Sequence, residues 1–179
     1  MKDTLFWDCE ANGLLSDVAS VHCVSFKLMK TQEIWTLAEG QLTRENLLHA
    51  FTCNNVDKIV CHNEIGYDIP LLLQIYNIDL IKILGKEAIV DTLIMSQVLN
   101  PDRELPRGCP TTISNPVTGR GKAIGPHGLE AWGYRVGHKK VEIFDWRTFT
   151  PEMISRCEGD VLINEKVYYA LMREAGIEY

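Results

Sequence analysis

The order in which the apolar runs change their period limits the fold of this chain more than any other feature. Residues 4–8, 18–27 and 32–37 form short apolar runs with β-branched and aromatic residues, the pattern of strands. Lys30-Thr31 lies between the second and the third as a tight connection, so these opening strands are expected to pair antiparallel. Thr43 then stands as a cap before a helix over 44–51, and residues 58–61 read as a short buried strand. Residues 68–76 place Ile69, Leu72, Leu73 and Tyr76 at helical spacing. A strand that follows a helix rejoins its sheet by a crossover, so the expected fold is α/β, a mixed central sheet flanked by helices. Further along, residues 88–90 form another short strand, and Asp91 caps a helix reaching Leu99. Residues 128–134 form a short helix stopped by Gly137. Thr150-Pro151-Glu152 is a helix start, and the last helix is expected over about 158–174. No internal repeat interrupts this order, and a single domain over 1–179 is expected.

Residues 101–126 differ from the rest. Pro101, Pro106, Pro110, Pro116 and Pro126 alternate with Gly108, Gly119, Gly121 and Gly125, which forbids a regular element over most of the stretch. A long mobile loop is expected there, and such loops in compact domains are usually functional. Residues 101–150 also hold eight Lys/Arg against five Asp/Glu, although the whole chain carries a net charge of −6. The net charge argues against a general duplex-coating protein, while a basic segment beside an acidic site suits a phosphate backbone led toward metal ions. Within that segment Lys139 and Lys140 read as solvated side chains.

No apolar run approaches the ~20 residues that span a bilayer, so no membrane association is expected. The N-terminus lacks the apolar core of a signal peptide, which points to a reducing cytoplasm, that of a bacterial host if the chain is phage-encoded. The six cysteines form no CxxC pair and are expected to be buried or idle thiols.

Four acidic residues stand where a backbone could gather them. Asp8 and Glu10, two apart at the end of the first strand, share one face and send Cys9 to the other. Asp68 opens the helix after the buried strand, and Asp160 lies early in the last helix. Like charges on one strand face repel unless a cation separates them, and carboxylates with water are the ligands hard divalent ions prefer. Asp91 reads as a helix cap, and Trp7 and Trp132 as core.

The first pair reads Asp8-Cys9-Glu10, followed by Ala11-Asn12-Gly13-Leu14-Leu15; the second group reads His62-Asn63-Glu64-Ile65-Gly66-Tyr67-Asp68. Asp91-Thr92-Leu93, the run from His127 to Arg135, and Asp160 follow in order. This ordered set resembles the DEDD superfamily of 3′→5′ exonucleases with a ribonuclease-H-like fold. Within it, the chain is most similar to the proofreading domains of family-A DNA polymerases of T-odd-type bacteriophages. The resemblance implies hydrolysis of single-stranded DNA from the 3′ end to nucleoside 5′-monophosphates, with two Mg²⁺ or Mn²⁺ ions. Asp8, Glu10 and Asp160 would hold one ion, and Asp8, with Asp68 acting through water, the other. It places Asn12, Leu14, Asn63, Tyr67, His127 and Arg156 against the nucleic acid. Leu14 is either a wedge against the terminal bases or a core residue. A separate DNA polymerase is the implied partner of a stand-alone nuclease of this kind.

The chain departs from the family in its third motif, Tyr-x-x-x-Asp or His-x-x-x-x-Asp. Arg156 stands four before Asp160 and Ser155 five before. Arginine stays protonated near neutral pH and cannot replace a base, although it can pair with a phosphate. Three readings follow: metal-bound water suffices, a group such as His127 or Tyr134 reaches in, or the domain is a catalytically weakened 3′-end-binding or polymerase-interaction module. An RNA-trimming exoribonuclease of the same superfamily is the alternative within enzymes.

Overall fold

The computed structural model describes residues 2–53, 55–116 and 118–177. Strands β1 (Asp3–Ala11), β2 (Val21–Leu28) and β3 (Ile34–Ala38) form an antiparallel meander. Helix α1 (Arg44–Thr52) starts at Thr43, whose hydroxyl accepts the Asn46 amide at 3.2 Å. The chain then crosses to β4 (Val56–Cys61), which lies parallel to β1, and after α2 (Asp68–Tyr76) and α3 (Leu80–Leu84) to β5 (Ile89–Asp91), parallel to β4. The sheet order is β3-β2-β1-β4-β5, the expected mixed sheet. Helices α4 (Thr92–Leu99), α5 (Leu129–Val136) and α6 (Pro151–Glu174) follow.

The central strand β1 is buried on both faces. Leu5, Trp7 and Cys9 pack with Phe26, Phe51, Ile59 and Leu72 on one side, and Trp7 meets Phe51 edge-on with centroids 4.9 Å apart. Phe6 and Val60 pack on the other side against Val161 and Tyr168 of α6. Polar groups inside this layer are paired. Asn164 donates to the Val60 carbonyl at 3.2 Å, Thr92 donates to Asn164 at 2.6 Å, and Lys27 pairs with Glu165. A third cluster, Leu129, Trp132, Ile163, Val167 and Leu171, seals α5 against α6.

Three features depart from the expected elements. Helix α6 runs unbroken for 24 residues from Pro151, through Gly159, rather than from about 158. Its buried stripe, Met153, Cys157, Asp160, Val161, Asn164, Tyr168 and Leu171, keeps helical spacing throughout, so packing outweighs the roughly 1 kcal/mol that a helical glycine costs. Helix α3 was not foreseen; Asp79 caps it through the Lys82 amide at 3.1 Å. The loop expected over 101–126 contains a two-stranded antiparallel ribbon, β6 (Thr112–Ser114) and β7 (Gly121–Ala123). Among the described residues, no helix is long and apolar enough to cross a membrane.

Candidate metal centre and nucleic-acid cleft

Asp8 and Glu10 project from one face of β1 into a cleft of about 600 Å³, while Cys9 between them turns into the core. Asp68, the first residue of α2, is carried in beside Asp8 because β4 runs parallel to β1. Asp160 arrives from α6, which crosses the same end of the sheet. Ligand oxygens of Asp8, Glu10 and Asp160 all lie within 4.8 Å of one another, as do ligand atoms of Asp8, Cys61 and Asp68. All four expected acids therefore line one cleft.

Their electrostatics follow from crowding. Burial, then the charges of Asp160, Glu10 and Asp68, push the Asp8 carboxyl well above the usual range. Burial lifts Glu10 to about 7, against the opposing charge of Arg156. Burial also lifts Asp68 to about 6, opposed by hydrogen bonds that include the Cys9 thiol. Cys9 Sγ donates to Asp68 Oδ1 at 2.8 Å, and Cys157 Sγ donates to the Asp8 carbonyl at 3.2 Å. These thiols are buried, as expected, but they are not idle: they brace two of the acids from the core side.

Two cations lie against the cluster. Arg156 Nε donates to Glu10 Oε1 at 3.1 Å and sits 3.8 Å from Asp160 Oδ2. Its guanidinium also reaches the Val141 carbonyl and lies 5.3 Å from the Trp146 ring centroid. Burial disfavours its charge, but Asp160, Glu10 and Asp8 outweigh that and raise its pKa. Arg156 thus stands where the family pattern has its tyrosine, committed to the acids themselves. Lys140 was read as a solvated side chain; instead its Nζ lies 2.6 Å from Asp160 Oδ2, with the side chain only 12 % exposed. Nothing local in the sequence marks it, because its partner is on another element. Asp160 Oδ1 is buried with no hydrogen-bond partner among the described residues.

The remaining expected residues divide. Leu14 is 71 % exposed on the loop after β1, which removes its core reading. Tyr67 lines the cleft and donates to the Gly13 carbonyl at 2.6 Å, tying the loops of the first two motifs together. Asn63 lines the cleft with positive φ (68°), its amide held by Asp91 Oδ1 at 2.9 Å. Its side chain covers Gly66, where a Cβ would meet Asn63 Oδ1 at 2.6 Å and push that side chain aside. Asp91 caps α4 as expected, and its second role in holding the Asn63 and Ile65 amides was not foreseen.

Two of the expected residues are engaged within the protein. Asn12 Oδ1 accepts the Ala19 and Ser20 amides at 2.9 and 3.0 Å, so the loop itself uses that oxygen. His127 pairs with Ser96 Oγ at 2.9 Å, a hydroxyl that also accepts Trp132 Nε1, and it does not line the cleft. Tyr134 is also absent from the lining and lies under Lys139 instead. The histidine that does line the cleft is His62, hydrogen-bonded to Thr92 and pushed down to about 3 by burial, hence neutral. Buried Glu64, which accepts Trp7 Nε1 at 2.9 Å, gave no signal in the sequence.

No family model matches the chain. It is 27 % identical to the DNA-directed DNA polymerase of Escherichia phage T7 over a 199-residue alignment covering 93 % of this chain and 26 % of the polymerase. It is also 27 % identical, over 188 residues with the same coverages, to that of Enterobacteria phage T3. The chain thus spans about a quarter of the length of these relatives. Among solved structures, a nuclease in its apo form superposes with TM-score 0.62 at 17 % identity, covering 97 % of this chain and 73 % of the other. Brucella melitensis NrnC bound to pGG superposes with TM-score 0.63 at 15 % identity, covering 98 % and 74 %. NrnC has also been solved with bound Mg²⁺. With the ribonuclease-H-like fold shared with nucleases and the sequence shared with two phage polymerases, the chain's resemblance to the DEDD 3′→5′ exonucleases holds along nearly its whole length.

Proposed function

We propose that the chain is a metal-dependent 3′→5′ exonuclease that removes nucleoside 5′-monophosphates from single-stranded DNA ends. The observation that carries this reading is the convergence of Asp8, Glu10 and Asp160 from two elements within 4.8 Å, with Asp68 beside Asp8. The residues fit a hard divalent ion. Their donors are carboxylate oxygens, their mutual repulsion calls for positive charge, and the buried Asp160 Oδ1 has an unused acceptor. Asp8, Glu10 and Asp160 would hold one Mg²⁺ or Mn²⁺, and Asp8, with Asp68 through water, a second. Bound there, the ions would supply Lewis acidity toward the attacking water and the leaving 3′ oxygen. Arg156 cannot take a proton from that water. It holds Glu10 and Asp160 in register and is placed to pair with a phosphate oxygen. Leu14, exposed on the loop after β1, suits a wedge against the terminal base, a contact that needs no sequence code.

The relation to phage polymerases supports work alongside DNA polymerase activity. Trimming of RNA is a second reading, favoured by the fold shared with NrnC, which has been solved with pGG bound. The test is a gel time course on 5′-labelled single-stranded DNA and matched RNA, with Mg²⁺, Mn²⁺ or EDTA. A metal-dependent ladder shortening from the 3′ end of DNA, abolished in Asp8→Ala, is the expected result. A strong preference for RNA would replace the substrate. Intact strands in both metals, with binding retained, would make the chain a 3′-end-binding module.

A further inference from the structure

A cluster of four carboxylates repels a polyanion, so a nuclease built on one must hold its substrate with cations elsewhere. Two of the cations lining the cleft, Lys140 and Arg156, are engaged by Asp160 and Glu10. The other Lys/Arg side chains lining it are Arg120 and Lys122, and neither pairs with a carboxylate among the described residues. Both belong to the ribbon. Its register pairs Ile113 with Lys122, and a backbone hydrogen bond from Asn115 to the Arg120 carbonyl at 2.9 Å continues the ladder. Side chains two apart on a strand share a face, so Ile113, Asn115, Arg120 and Lys122 all point one way. These four line the carboxylate cleft, as does Ala123 where the ribbon ends, whereas Thr112, Ser114 and Gly121 do not.

The ribbon has no evident role in the core. It forms its own two-stranded sheet, and every described residue from Thr112 to Ala123 is exposed or half-buried. A lone two-stranded ribbon is marginal in water, and this one is tailored to stay paired. Gly119 adopts φ +68° in the turn, Asn115 Oδ1 accepts the Thr118 amide at 3.0 Å, and Gly121 leaves space that a Cβ would fill at 2.7 Å from Thr112 Cγ2. Across the cleft, Asn115 Nδ2 donates to the Phe144 carbonyl at 3.5 Å, so the ribbon faces a wall that includes Ile143, Phe144 and Trp146.

We propose that the β6–β7 ribbon is the arm that grips the substrate. Arg120 and Lys122 bind phosphates of the single strand on the 5′ side of the linkage to be cut, and Ile113, opposite Lys122, offers an apolar surface to sugar or base. This rests on the nuclease reading above and adds its principal phosphate-binding residues.

The test measures fluorescence anisotropy of a labelled ten-nucleotide oligothymidylate, with Ca²⁺ in place of Mg²⁺ to slow turnover, from about 50 to about 200 mM salt. Kinetics in Mg²⁺ run alongside. R120Q/K122Q is expected to raise Kd roughly tenfold or more at low salt. It should also make the slope of log affinity against log salt shallower by about 1.4, the share of two phosphate contacts on a single strand. Turnover should suffer more in KM than in kcat. The charge-preserving R120K/K122R should keep the salt slope, which a purely structural role for these side chains would not predict. Unchanged Kd and slope in R120Q/K122Q, while the unmodified chain still shortens the strand from its 3′ end, would overturn the ribbon's role and leave the nuclease reading standing. A chain that neither binds nor shortens the strand would overturn both.

Discussion

Stability of the metal-free chain should fall as pH rises, and Mg²⁺ should restore it. The perturbation is a pH series in EDTA from about 4 to about 8. Glu10 is lifted from 4.5 to about 7, chiefly by burial, so the folded chain holds this proton more tightly than the unfolded chain does. A group raised in this way contributes stability that is fully present below 4.5 and is lost as pH climbs through 7. The shift corresponds to about 3 kcal/mol for Glu10 alone, whose side chain is only 12 % exposed. For a chain of this length, that is a fall in Tm on the order of 10 °C. Asp68, lifted to about 6, acts in the same direction over the lower half of the window. On the proposed function a divalent ion would bind the ionised carboxylates of the folded chain only, and at a hundredfold excess over its Kd it would return about 2.7 kcal/mol. Scanning fluorimetry with and without Mg²⁺ measures both effects. Glu10→Gln isolates the group and should flatten the EDTA curve. A Tm that stays level or rises between pH 5 and 7 in EDTA, or a slope that Mg²⁺ leaves unchanged, would refute the argument that burial holds these carboxylates protonated in the folded chain.

Two further substitutions probe the cations. Arg156→Tyr restores the family pattern and releases Glu10; activity on single-stranded DNA is expected to equal or exceed that of the unmodified chain. A collapse in kcat would show that the guanidinium has its own part in the reaction. Lys140→Met breaks a nearly buried ion pair with Asp160, so the metal-free chain should lose about 3 kcal/mol, read as Tm in EDTA. Its Mg²⁺ affinity by calorimetry should rise, because the ammonium no longer competes for Asp160 Oδ2; an unchanged Tm and affinity would mean that the pair carries no weight in solution.

The parts of this fold that were legible in the sequence are those whose cause is local. The Thr43 and Asp91 caps, the Gly137 stop and the Pro151 start each act within one turn of helix, and each stands at the expected place. Asp8 and Glu10 share a face because period two requires it, whatever the rest of the chain does. The residues that escaped notice owe their roles to distant partners. Lys140 meets Asp160 across 20 positions, and the Cys9 thiol reaches Asp68 across 59. The partner of His127 was hidden for the same reason: its ring pairs with Ser96, 31 residues away. The ribbon was hidden by its own composition, since prolines and glycines that forbid long elements still permit three residues on either side of a turn.

These long-range contacts also bear on how the chain can carry Arg156 where the motif it resembles has a tyrosine. A tyrosine four residues before Asp160 would leave Glu10 without its ion-pair partner. Here the guanidinium and the Lys140 ammonium already lie against those carboxylates, and the Cys9 and Cys157 thiols brace Asp68 and Asp8 from the core. The cluster is therefore held in place by the protein before any ion arrives. The same cations must yield, wholly or in part, to the ions that the proposed reaction uses. Preorganisation and metal affinity then pull in opposite directions, and paired measurements of Tm and Mg²⁺ affinity on Arg156 and Lys140 variants would show that opposition directly.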